Sequence, residues 1–154
     1  MADENKDRAL QIRRLQRNLS SIRKIAGWTA ETLGDKIGVT KQTISNLENE
    51  KNIMNFTQYI AIRTVLDYEI EINKENEVLP KVVAILLDSD DLDDENYSKV
   101  KEVADTVAAT AAGGTPVIKL DKVFDVLIAS VPFIIPIVGA IIGSSAGHWK
   151  KLMK

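Results

Sequence analysis

Two short stretches between Thr29 and Lys51 each carry the start and stop signals of a helix, and only a turn separates them. A threonine begins each stretch, at Thr29 and at Thr40, where its side chain can accept a hydrogen bond from the free amides of a first helical turn. Gly38 ends the first stretch, because glycine readily adopts the left-handed conformation that closes a helix. The inward positions follow helical spacing and are Leu33 and Ile37, then Ile44 and Leu47. The segment therefore predicts two short helices with a fixed mutual packing.

Most of the remaining chain also has helical spacing of its apolar residues, so we predict a mainly all-α protein. The expected helices run from about Asp7 to Ala26 with the first dozen residues as an extension, then 56–66, 77–88, from Asp94 or Asn96 to Ala112, from Thr115–Pro116 towards Ser130, and 137–151. Tyr68 to Ile72 alternates apolar and polar residues and predicts a short strand or an extended linker. Glycines and prolines supply the expected breaks between these helices.

Charge is unevenly distributed along the chain, although the formal net charge of the 154 residues is only −2. Residues 1–66 carry a net +4, residues 67–125 a net −9 and residues 126–154 a net +3. This asymmetry, with a basic segment over residues 1–66, is a hint of contact with nucleic acid or a membrane. The absence of cysteine and the single histidine exclude disulfides, thiolate zinc sites and a histidine-rich metal centre, so we expect no cofactor and no metal. No nucleophile, base and oxyanion arrangement can be assigned, and we expect no enzymatic activity.

Leu19 to Leu66 resembles the phage-repressor and Cro-like DNA-binding domain, also called the XRE family. The residues that carry the resemblance run from Thr29 to Lys51, with caps, turn glycine, core positions and an Ile-Ser-Asn-Leu-Glu-Asn-Glu-Lys ending in register. Two helices joined by a tight turn form a helix-turn-helix, whose second helix enters the major groove of DNA. The match covers about a third of the chain. It implies a sequence-specific regulator of transcription that binds double-stranded DNA in the cytoplasm.

The outward polar residues of the second helix are the expected readers of base edges, because the N-terminal part of a recognition helix faces the groove. Gln and Asn can pair with adenine through two hydrogen bonds, and Lys can donate to guanine. These residues are Lys41, Gln42, Ser45 and Asn46, with Thr43 at the margin. Phosphates should be bound by helix N-terminal amides and by basic side chains, namely at Thr29, Thr40, Arg23, Lys24 and Lys51. We expect Glu48 to pair with a basic residue of the fold rather than with cytosine.

Three positions depart from the family pattern. Ala30 stands where the family usually has glutamine, Gly34 where it often has alanine, and Glu50 where it usually has glycine. Glycine inside a helix costs up to about 1 kcal/mol relative to alanine. These departures suggest that DNA affinity depends on dimerisation.

Val126 to Gly147 is a run of 22 residues without a charged side chain, a length that can cross a bilayer. Gly139, Gly143 and Gly147 form a stripe of small residues that permits close helix packing. A single crossing would export Lys150, Lys151 and Lys154, which the positive-inside tendency opposes. A helical hairpin broken at Pro132 and Pro136 fits either an oligomer core or association with the inner membrane. Both interpretations stay open.

The sequence thus divides into four expected regions: a DNA-binding domain over 1–67, a linker or strand over 68–76, an acidic helical region over 77–114 and a hydrophobic helical hairpin over 115–154. The expected oligomer contacts are Ile12 and Leu15 on the first helix, together with the glycine stripe. The favoured function is a repressor that acts as a dimer or higher oligomer on a near-palindromic operator. The alternative is a membrane-tethered regulator or an antitoxin-like protein whose region 115–154 binds a bilayer or a protein partner.

Overall fold

The computed structural model describes residues 2–89, 92–131 and 148–154. Seven α-helices lie in these ranges: α1 (Ala2–Ile25), α2 (Ala30–Ile37), α3 (Lys41–Glu48), α4 (Phe56–Ile72), α5 (Val78–Leu86), α6 (Asp94–Ala112) and α7 (Val117–Ile128). A 3-10 helix, His148–Met153, follows near the C-terminus. The described residues contain no strand, so the all-α prediction is confirmed for them.

Helix α1 is the longest element and lies at the centre of the fold. Its face of Leu15, Leu19, Ile22 and Ile25 is fully buried, as helical spacing predicts. The same helix packs on α3 and α4 at one side and on α5 and α6 at the other. Leu15 is therefore wrong as an oligomer contact, because its side chain lies inside its own chain. Ile12 is half-buried and packs against the same core.

Helix α4 corrects the prediction of a strand or linker at Tyr68–Ile72. The helix continues without a break from Phe56 to Ile72 and ends at Asn73. The alternating pattern has a helical explanation, because Tyr68 and Ile72 are four residues apart and both are exposed on one face. Ile70 lies on another face and packs against the core. No glycine or proline interrupts the helix before Asn73, so nothing in the sequence stops it at Leu66.

Three helices of the second half of the chain complete the fold: α5 and α6 pack on α1, and α7 packs on α6 and α5. α5 is buried on nearly every side, with Pro80 in its first turn, where a missing amide costs little. α6 begins after Asp93, whose carboxylate accepts a hydrogen bond from the amide of Asn96, and ends at Gly113. Ser21 Oγ of α1 donates to Asp105 Oδ1 of α6 at 2.6 Å. α7 begins one residue later than expected, with Pro116 rather than Thr115 at its N-cap.

Most of the uncharged run lies outside the described residues. This applies to the expected hairpin from Pro132 onwards and to Gly139, Gly143 and Gly147. Among the described helices, none combines the length and the apolar character that a bilayer crossing requires. The expected last α-helix is described only from His148, where the chain forms a 3-10 helix instead.

The C-terminal 3-10 helix packs against α1 and α4. Trp149 is buried, its ring lies edge-on to Tyr59 at 5.9 Å, and its Nε1 donates to Asp67 Oδ2 at 2.8 Å. The guanidinium of Arg63 lies 5.4 Å from the centre of the same ring. This cluster joins the end of the chain to the helices that surround the helix-turn-helix.

Candidate nucleic-acid interface

Helices α2 and α3 are each capped by the threonine that the sequence predicts. Thr29 Oγ1 accepts a hydrogen bond from the amide of Thr32 at 3.0 Å, and Thr40 Oγ1 accepts one from the amide of Thr43 at 3.1 Å. The hydroxyls of Thr40 and Thr43 lie 3.0 Å apart. The two caps fix the first turn of each helix, and the capping residues Thr29 and Thr40 are themselves exposed.

The turn between α2 and α3 requires glycine at two positions. Gly38 has φ 77° and closes α2 in the left-handed conformation. Gly34 is buried, and a Cβ atom there would lie 2.6 Å from the carbonyl oxygen of Val39. This distance is too short for any contact, so the glycine allows the turn to approach α2. Gly34 therefore has a packing role, in addition to the cost in helix propensity that the sequence predicts.

The predicted base-reading residues lie on the outward side of α3. Lys41 and Gln42 are exposed, whereas Thr43, Ser45 and Asn46 are half-buried. Gln42 Nε2 donates to Asn46 Oδ1 at 2.9 Å, one helical turn away. This bond leaves the Oε1 acceptor of Gln42 and the NH₂ donors of Asn46 available to a ligand. The face thus presents a cation, an acceptor and donors side by side, which is the chemistry that base edges require.

Arg23 has a structural role, which corrects its prediction as a phosphate ligand. Its guanidinium binds both carboxylate oxygens of Glu48, at 2.5 Å from Nε and 2.9 Å from Nη2, and Nη1 donates to the carbonyl of Trp28 at 2.8 Å. Both side chains are almost buried, so neither is free to leave the pair at low cost. The prediction that Glu48 pairs with a basic residue is confirmed. The pair ties the last turn of α3 to α1.

Gln16 of α1 forms a second set of hydrogen bonds between α1 and the end of α3, which the sequence did not suggest. Its Nε2 donates to the carbonyls of Leu47 at 3.0 Å and Asn52 at 2.7 Å, and its Oε1 accepts from the amide of Met54 at 3.0 Å. Gln16 is buried, and it binds the backbone groups that α3 and the following loop leave without helical partners. A polar residue one position after Leu15, within an otherwise apolar face, was the available signal.

The loop from Asn49 to Asn55 extends the polar surface beyond α3. Lys51 is exposed in this loop, and its amide donates to the carbonyl of Asn46 at 2.9 Å. Lys24 is half-buried in the last turn of α1. Glu50 has φ 56°, a left-handed conformation that favours glycine. Ile53 is 90% exposed beside Lys51, and sequence reasoning missed it.

The site contains capped helix ends, amides and cations, and within the ranges described no cluster of acidic and histidine side chains is arranged to hold a metal ion. A short helix with an outward polar face, held from behind by α1, defines a helix-turn-helix DNA-binding module. Residues 19–73 match the family model described as Helix-turn-helix. Over these residues, about a third of the chain, the protein is similar to the XRE-type, Cro-like helix-turn-helix domains of DNA-binding transcriptional regulators. Neither the curated proteins nor the solved structures gave a match.

Proposed function

We propose that this protein is a sequence-specific transcriptional repressor that binds a near-palindromic operator as a dimer or higher oligomer, in the cytoplasm. The observation that supports it is the outward face of α3, where exposed polar side chains stand on a helix whose far end is held by Arg23 and Gln16. Base-contacting side chains that are already ordered lose little conformational freedom when they bind DNA, which favours discrimination between base pairs.

Base reading is assigned to Lys41, Gln42, Ser45 and Asn46, with Thr43 at the margin. The Gln42–Asn46 hydrogen bond fixes the rotamers of two amides that can each pair with adenine. One well-formed pair of this kind discriminates between bases by about 1–3 kcal/mol. Lys41 adds a donor for guanine at the N-terminal end of the helix.

Phosphate binding is assigned to the amides at the starts of α2 and α3, behind Thr29 and Thr40, and to the side chains of Lys24 and Lys51. Helix N-termini carry partial positive charge and favour a phosphate oxygen. Lys51 follows α3 directly and is exposed, so its ammonium can reach the backbone beside the groove. These contacts set the orientation of α3 and carry no base information.

Two copies would place two α3 helices about 34 Å apart, one turn of the DNA helix. Region 115–154 is the proposed source of oligomer contacts, and Ile12 of α1 is a further proposed contact. Light scattering tests this assignment, because a dimer has twice the 17.0 kDa mass of the chain. A mass that falls to one chain in detergent would support an apolar interface.

Selection of bound sequences from a random DNA pool, followed by gel shifts at several salt concentrations, tests the function. A defined half-site is expected from the full chain. Gln42→Ala should relax the preference at one position of that half-site. Lys51→Ala should weaken all sequences about equally and lower the salt slope by about one.

The two substitutions serve as controls for each other, because one removes a base reader and the other a phosphate ligand. Recovery of no preferred sequence by the intact protein would contradict the proposal. An unchanged preference in Gln42→Ala would contradict the assigned reading face and leave DNA binding itself intact.

A further inference from the structure

A basic stripe follows the outer face of α1. The stripe consists of Lys6, Leu10, Arg13 and Arg17, whose spacings of four, three and four residues keep them on one side of a helix. All four are exposed. They lie opposite the buried face that begins at Leu15, so the stripe points away from the core.

The cationic side chains of this stripe have no acidic partner within the described part of the protein. Lys6, Arg13 and Arg17 form no ion pair with any described acidic side chain. Asp7 is the only acid between Lys6 and Arg17, and it lies about 100° around the helix from Lys6. The stripe therefore presents a continuous positive charge to solvent.

The C-terminal 3-10 helix packs on the side of α1 next to Leu10 of the stripe. Arg8 Nε donates to the carbonyl of Leu152 at 2.9 Å, and Leu10 and Leu152 line one cavity of about 110 Å³ together with Trp149. The 3-10 helix and the residue after it add the exposed ammonium groups of Lys150 and Lys154. We call the α1 stripe and residues 150–154 together the basic face.

The basic face also exposes apolar side chains. Leu10 is 39% exposed and Met153 is 46% exposed, and each stands next to cations. Cations alone fit any polyanion, whereas apolar groups among them gain free energy where they are buried against other apolar groups, as at the acyl boundary of a bilayer. A phosphate backbone offers no such site, whereas the boundary between headgroups and acyl chains does.

We propose that the basic face binds the surface of an anionic lipid membrane. The chain that leads into this face supports the assignment, because residues 132–147 carry no charged side chain and join the 3-10 helix at His148. The positive charge of Lys6, Arg13, Arg17, Lys150 and Lys154 matches anionic headgroups, and Leu10 and Met153 supply apolar contacts. The face lies on the surface of α1 and is separate from the reading face of α3, so the proposal does not rest on the proposed function.

Vesicle flotation tests the proposal with the full chain. Vesicles of phosphatidylglycerol and phosphatidylcholine in equal parts are compared with vesicles of phosphatidylcholine alone, at about 0.1 M salt, where surface charges act over about 10 Å. The protein should float with the anionic vesicles only. Arg13→Gln with Arg17→Gln should weaken binding about 30-fold, since each basic residue near an anionic surface contributes about fivefold. Leu10→Ser with Met153→Ser should weaken it as well.

The matched control is Lys119→Gln with Lys122→Gln, which removes the same charge from exposed positions of α7. This control should bind vesicles like the unmodified protein. Failure of the unmodified protein to float, or flotation unaffected by the Arg13 and Arg17 changes, would overturn the proposal. A loss of DNA affinity in the Arg13 and Arg17 variant without any vesicle binding would assign the face to DNA and overturn it equally.

Discussion

Tyr59 carries a buried hydroxyl that forms no hydrogen bond with the residues described. Its ring packs edge-on against Phe56 at 6.0 Å and Trp149 at 5.9 Å, so the side chain contributes mainly through its apolar surface. Burial raises the pKa of Tyr59 from 10.0 to about 12, and the nearby Arg63 offsets part of that increase. The ionisation of Tyr59 therefore makes the free energy of unfolding depend on pH in the alkaline range.

Stability should fall as the pH rises from 10 towards 12, because the unfolded chain releases the Tyr59 proton before the folded chain does. Below pH 10 Tyr59 is protonated in both the folded and the unfolded chain, so its ionisation takes nothing from the free energy of unfolding. The loss amounts to about 3 kcal/mol once the pH exceeds the folded-state pKa. Tyr59→Phe should remove this part of the pH dependence and, at neutral pH, leave stability unchanged or raise it by about 1 kcal/mol. Urea unfolding of both proteins across this range is the measurement, and equal alkaline losses in the two would contradict it.

Glu50 is the residue where a single substitution should stabilise the protein. Its φ of 56° costs a residue with a Cβ atom about 1 kcal/mol, a cost that glycine avoids. Glu50→Gly should therefore raise the free energy of unfolding by about 1 kcal/mol. Glu50→Ala removes the same charge and keeps the strain, so it should change little. A gain in the alanine variant equal to that in the glycine variant would show that charge, and not backbone strain, is responsible.

At the scale of the elements, α3 depends on α1 for its position. Helix α3 has only eight residues, and a helix that short is marginal without tertiary contacts. Buried Ile44 and Leu47 supply the apolar contacts, Arg23 binds Glu48, and Gln16 binds the backbone around the end of the helix. The position of α3 therefore depends on residues some 25 to 31 positions earlier in the sequence.

Gln16→Leu should destabilise the protein by about 2–4 kcal/mol. The substitution keeps a similar volume but leaves the buried amide of Met54 and the carbonyl of Leu47 without the partner they have now. DNA affinity should also fall, because the end of α3 loses its hydrogen bond to α1. Gln42→Ala is the matched control, since it should alter base preference and leave the urea midpoint nearly unchanged. A Gln16→Leu midpoint equal to that of the control would show that the three hydrogen bonds contribute little.

The sequence predicted elements well wherever caps and spacing agree. Thr29, Gly38 and Thr40 mark α2 and α3 at the correct residues, because a cap is a local interaction between neighbours in the chain. Period-two alternation misled at Tyr68 to Ile72, because two exposed apolar residues on a helix imitate the alternation of a strand. The partner of Arg23 lies 25 positions away, so its side chain looked available for phosphate. Local rules carry no information on such distant partners.

At the scale of the whole molecule, the buried apolar residues of the described chain form one core. The last turns of α1, from residue 19, lie within the helix-turn-helix match, and α1 also packs on α5 and α6. Arg63 of α4 is only 1% exposed and binds both oxygens of Asp88, just beyond α5, at 3.0 and 3.1 Å. Sequence spacing could predict the helices here but not their association, since Trp149 and Asp67 are 82 residues apart.

Trp149→Ala should lower the stability of the whole protein by about 3–5 kcal/mol, because it removes a large buried ring and its hydrogen bond to Asp67. Trp28 is then the only tryptophan left and lies in the helix-turn-helix domain. Its fluorescence should follow the same shifted unfolding curve as the far-ultraviolet signal of the helices. Met153→Ala, at an exposed position, should change stability by less than about 0.5 kcal/mol. Two separate transitions in Trp149→Ala would show that the C-terminal segment does not stabilise the DNA-binding domain.

The position of α1 has a consequence for how such a protein can change over generations. Its buried side chains pack on α3 and α4 in one direction and on α5 and α6 in another, so the helix as a whole must stay compatible with two sets of neighbours. Lys41 and Gln42, by contrast, are exposed. If they read bases as proposed, one or two changes on α3 should alter the preferred DNA sequence at little cost in folding. If the entire first domain were exchanged with that of another regulator, α5 and α6 would lose the complementary surface of α1 on which they pack.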